Sequence, residues 1–117
     1  MVTFRQAMRL ASASCQTAGL PMTPTEINEG RCEEWANEVH RLVPEAERYW
    51  TFDHMWVRYR GRFYDAEARA GVEDWSDLPF FERFVKEHPE VDIDKLYLRW
   101  DGMSEADDPY AKMLGVE

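Results

Sequence analysis

Cysteine is scarce: Cys15 and Cys32 are the two in the chain. That is too few for a disulfide scaffold or for the paired Cys-x-x-Cys spacing of a structural zinc site. One bridge between them is allowed by count, but nothing else in the sequence points to an oxidising compartment. Long apolar runs are also missing. No stretch approaches the roughly 20 residues of a membrane span. In "MVTFRQAMRLASASCQTAGL" the arginines at 5 and 9 interrupt a pattern already too short for a secretory leader. Positive charge is in deficit, with 14 Lys and Arg against 23 Asp and Glu and a net charge of −9. Nucleic acid and anionic membrane are therefore disfavoured as partners, since both repel such a surface. The local basic run "RYRGR" (58–62) falls at a predicted turn and reads as solvated hairpin charge. No internal repeat is evident. A soluble, cytoplasmic chain is the expectation.

What remains is enough for a core. Hydrophobic residues make up 44% of the 117 and aromatics 14%, which supports one packed domain over 1–117 without covalent staples. Residues 3–18 place Phe4, Ala7, Met8, Ala11 and Cys15 on one helical face, with Gly19 as a stop. "LPMTPTEIN" (20–28) reads as a connecting loop. A second helix is expected from Asn28 or Glu29, with Asn28 as its cap and Cys32, Trp35, Ala36, Val39 and Val43 as its apolar face. "TFDHMWVRY" and "RFYDAEA" form a hairpin across Arg60-Gly61. Ser76 or Asp77 can cap a third helix carrying Phe80, Phe81, Phe84 and Val85, and "IDKLYLRW" (93–100) reads as a further strand. The segment 101–117 is an acidic tail, frayed or weakly helical. The order is helix, helix, hairpin, helix, strand, which is an α+β domain with a small antiparallel sheet.

The hairpin has a chemical consequence. With Arg60 and Gly61 as the turn, Tyr59 faces Arg62, Arg58 faces Phe63 and Val57 faces Tyr64. Continuing the count puts Trp56 opposite Asp65 and Glu67 opposite His54. Alternation then sets His54, Trp56, Arg58, Phe63, Asp65 and Glu67 on one face. Asp65 is a diagonal neighbour of His54, and Glu67 competes with it as the histidine's partner. A catalytic thiolate needs an imidazole to take its proton, and the imidazole needs an acid to fix its orientation. The first turn of a helix lowers a thiol's pKa. Cys32, His54 and Asp65 supply those parts in order within 34 residues.

Three segments carry a resemblance: "GRCEEWANEV", "HMWV" and "GRFYDAE". Together they look like the core of the papain-like superfamily, particularly its transglutaminase-like and NlpC/P60-like branches, over about residues 28–67. The aspartate favours the transglutaminase-like branch. The likeness implies a compact papain-like core whose sheet packs on a nucleophile-bearing helix. It further implies Cys32 as nucleophile, His54 as general base and acid, and Asp65 as orienting acid. No cofactor follows from it, and the substrate would be a protein or peptide. The amide of Cys32 is the natural first oxyanion donor, with Asn28 or Gln16 as second.

Each residue also has a plainer reading. Cys32 can be a buried thiol, His54 an ordinary hairpin histidine and Asp65 a strand terminus. Trp35, Trp56 and Phe63 read as core or cleft wall. His40 and His88 read as surface residues and Cys15 as structural. A zinc site from Cys32, His54 and Asp65 is chemically conceivable, but no second ligand pair supports it, so no metal is assigned. The sequence leads to a cysteine-dependent acyl-transfer enzyme, a peptidase, amidase or deamidase. The competing reading is a non-catalytic binding protein that keeps the fold and uses an aromatic-lined groove.

Overall fold

The structure is a computed structural model that describes residues 2–16, 22–51, 54–96 and 98–103. Helix α1 (Phe4–Ser14) starts at a reciprocal cap in which Thr3 and Gln6 each satisfy the other's backbone N–H. Its buried face is Ala7, Met8 and Ala11, continued by Cys15 at the C-cap. It ends earlier than the expected 18, and Gly19 lies outside the described residues.

The expected loop over 20–28 is half helix. Thr23 and Glu26 form a second capping box, Pro24 occupies the first turn, and α2 spans Pro24–Gly30. Asn28 is therefore inside α2, buried, and not the cap of the next helix. The backbone breaks at Arg31 (φ −136°, ψ 24°), and α3 (Cys32–Leu42) begins with Cys32 as its first residue. Trp35, Ala36 and Val39 are the buried face of α3. Cys32 was expected to face the core with them, but it sits half-buried at the helix start.

After α3 comes a strand the sequence reading did not separate, β1 (Glu47–Thr51). It pairs antiparallel with β2 (His54–Tyr59), from Glu47–Arg58 to Thr51–His54. The hairpin to β3 (Arg62–Tyr64) turns on Arg60 (φ 50°) and Gly61 (φ 80°), both left-handed as a two-residue turn of this hand requires. Its register is the anticipated one: Val57–Tyr64, Arg58–Phe63 and Tyr59–Arg62. The ladder stops there. Asp65 leaves the strand, so neither a Trp56–Asp65 nor a His54–Glu67 pair forms.

Downstream, Asp74 caps a 3₁₀ turn at Trp75–Asp77, and α4 (Pro79–Glu87) follows with Leu78 at its N-cap. Neither Ser76 nor Asp77 caps α4, and Val85 is exposed. The strand expected over 93–100 is mostly not one. Ile93–Lys95 is a 3₁₀ turn, and β4 is Arg99–Trp100 alone, paired antiparallel with β1. The sheet order is β3-β2-β1-β4. Asp101, the first residue of the expected tail, is held by Arg48 through its carboxylate and by Arg48's carbonyl through its N–H. From 104 the tail lies outside the described residues.

Side-chain alternation divides the core in two. Val57 and Ala66, with Met55, Tyr59 and Tyr64, pack against α1 and α3. Trp56, Phe63 and Tyr49 pack with Leu78, Trp75 and Phe81 on the α4 side. The described chain is thus a compact α+β arrangement of four α-helices and one four-stranded antiparallel sheet. Among the described residues no helix is long and apolar enough to cross a membrane.

Candidate active site

Cys32, His54 and Asp65 come from the two layers and meet at one end of the sheet. His54 opens β2, and its ring stacks on Phe80 of α4 at 4.2 Å and 14°. Its Nε2–H donates to Asp65 Oδ2 at 3.0 Å, with both side chains fully buried. This leaves Nδ1, buried and without a hydrogen-bond partner among the described residues, as the proton-accepting atom. Asp65 Oδ1 accepts the N–H groups of Glu67 (2.9 Å) and Ala68 (2.8 Å), so the turn after β3 holds the carboxylate in place. One oxygen is fixed by backbone, and the other is turned to the histidine.

The electrostatics agree with that geometry. Burial pushes the Cys32 thiol up. Its interaction with His54, the His54 charge and the N–H groups of Met55 and Glu33 outweigh burial, holding it below the ordinary thiol value. For His54 burial pushes down, and the hydrogen bond to Asp65 and the interaction with Cys32 more than compensate, raising it. Both directions favour a thiolate beside an imidazolium. Cys15 is the contrast: burial and the nearby Glu34 carboxylate push its thiol up, and its Sγ lies 3.9 Å from the Arg31 carbonyl.

A cleft of about 500 Å³ is lined by Cys32, Asn37, Arg48, Trp50, His54 and Met55. Arg48 is a wall and not an unoccupied cation: it donates to Asn37 Oδ1 (2.8 Å) and Asp101 Oδ1 (2.9 Å). Arg48 and Trp50 were missed because β1, which carries them, was not read as a strand.

Several expected site residues are elsewhere. Gln16 is exposed, donating to the carbonyls of Ser12 and Met22 and accepting the Met22 N–H. Asn28 gives its amide to Glu67 at 2.9 Å. Neither is placed as an oxyanion donor. Trp35 is core, with Nε1 donating to Ser12 Oγ at 3.0 Å, and Trp56 is fully buried in the α4-side core. Glu67 is not the partner of His54, because its carboxylate is held by Arg83. His40 lies against the Ala46 carbonyl and His88 is exposed. Among the described residues no group of three or more His, Cys, Asp or Glu is arranged to hold a metal ion. No protein-family model matches the chain, and neither a curated protein nor a solved structure matches it.

Proposed function

We propose that this protein is a cysteine-dependent acyl-transfer enzyme, a peptidase, amidase or deamidase with a compact papain-like, transglutaminase-like core. The observation that carries the reading is one chain of contacts. A thiol at the first position of a helix lines the same open cleft as a buried histidine, whose Nε2 bonds a buried aspartate, and the histidine lowers the thiol's pKa. On this reading Cys32 Sγ attacks an amide carbonyl of a protein or peptide, forming a C–S bond. His54 gives the proton taken from the thiol to the leaving amine as the C–N bond breaks. Water then attacks the thioester. His54 takes its proton and returns it to sulfur, releasing the acid.

Iodoacetamide alkylation across a pH series tests this. Cys32 should react as a thiolate well below the free-cysteine pKa of about 8.5, and His54→Ala should abolish that advantage. A wild-type thiol that titrates ordinarily, unaltered by His54→Ala, returns the chain to the reading of a non-catalytic binding protein.

A further inference from the structure

We infer that Glu67 is the positioning residue of the proposed triad, a single carboxylate that anchors the three segments from which Cys32, His54 and Asp65 take their places. The inference rests on the triad reading above and goes beyond it. Glu67 Oε1 accepts Asn28 Nδ2 (2.9 Å) and Arg83 Nη2 (2.6 Å); Oε2 accepts Thr25 Oγ1 (3.2 Å) and Arg83 Nη1 (2.9 Å). Four donor atoms from three residues thus converge on a side chain only 13% exposed. Arg83 also reaches Glu29 at 3.5 Å.

Each arm ends on an element that carries or contacts a triad member. Thr25 and Asn28 belong to α2, which runs into Arg31 and Cys32 with one intervening break. Arg83 lies on α4 three residues after Phe80, the ring stacked on His54. Glu67's own N–H donates to Asp65 Oδ1, which leaves Oδ2 for His54. Fixing the Glu67 side chain therefore fixes the turn that aims Asp65. A fork of this kind, bidentate and charge-assisted, holds geometry better than a single-point contact.

The test is the alkylation rate of Cys32 against pH in wild type, Glu67→Ala and Glu67→Gln, with circular dichroism to confirm folding. Phe4→Ala is the control, since Phe4 packs on Tyr59 and Tyr64 in the other core. A purely structural loss would appear there too. Glu67→Ala should shift the alkylation profile to higher pH, lowering the rate on its acid limb about tenfold for each unit by which the thiol pKa rises. Glu67→Gln keeps oxygen and shape but loses charge against Arg83, so it should fall between the two. Phe4→Ala should melt earlier and alkylate as wild type does. The inference is overturned if folded Glu67→Ala alkylates like wild type. Should that variant not fold, a wild-type rate in Glu67→Gln overturns it equally. An ordinary titration in wild type instead removes the triad itself.

Discussion

Asp65 divides its work between two oxygens, and that division makes it the most informative single position. Oδ1 is bound by two backbone N–H groups, so an asparagine there would keep its carbonyl oxygen on that side. Its NH₂ would then face His54 Nε2. An NH₂ can only donate, so the imidazole would be driven to the tautomer with the proton on Nδ1, the atom that must accept from Cys32. Asp65→Asn should preserve the fold while removing the base. The expected outcome is a Cys32 alkylation profile shifted up toward that of a free thiol. Turnover of any amide substrate should fall on the order of 10²–10⁴-fold, the usual contribution of general acid–base catalysis. Asp65→Asn alkylating at pH 6 as fast as wild type would show that Asp65 does not orient the ring.

The short helix α2 shows what a local signal can do without periodicity. Seven residues are fewer than two turns and a half, so no apolar stripe can be read from them. Reading 20–28 as a loop passes over a local signal all the same, because Thr23-Pro24-Thr25-Glu26 is a Ser/Thr-x-x-Glu box with proline at the first helical position. Thr23→Ala should cost about 1 kcal/mol in chemical denaturation, the typical value of such a cap. Because α2 leads directly into Cys32, it should also slow alkylation. Legibility elsewhere follows the same logic. The faces of α1 and α3 came from 3.6-residue spacing, and the β2–β3 register from a turn whose two positions fix every pair. Strand alternation brings Asp65 to the side of His54, but the chain leaves the ladder at that residue, and the turn that follows β3 completes the contact. β1 was invisible because Glu47–Thr51 is half-buried on both faces and shows no clean alternation. β4 holds two residues, and its existence depends on β1. The cleft wall followed β1 into invisibility.

Two half-cores, one under α1 and α3 and one, richer in aromatic rings, under α4, meet the sheet from opposite sides, and the candidate triad spans their junction. Ionisation of Cys32 and His54 is therefore coupled to keeping both layers docked. Cys32 has its pKa depressed by folding. Its contribution is present above the unfolded value near 8.5 and lost as pH falls through the lower folded value. His54 is raised by folding. Its contribution is present below the unfolded value near 6.5 and lost as pH rises through the higher folded value. In the window where the lowered thiol value has passed below the raised imidazole value, the unfolded chain holds the thiol proton on sulfur, while the folded chain holds it on the imidazole. The proton count is the same in both, so this pair gives no slope there. On the acid side the unfolded chain binds the additional proton first and stability falls; on the alkaline side it releases one first, and stability falls again. Cys32→Ser keeps the shape but cannot ionise in this range. The melting temperature of wild type minus that of Cys32→Ser, measured from pH 4 to 10, should be largest near neutrality and shrink on both flanks. A difference that is flat across the range would mean that thiolate and imidazolium do not form as a pair.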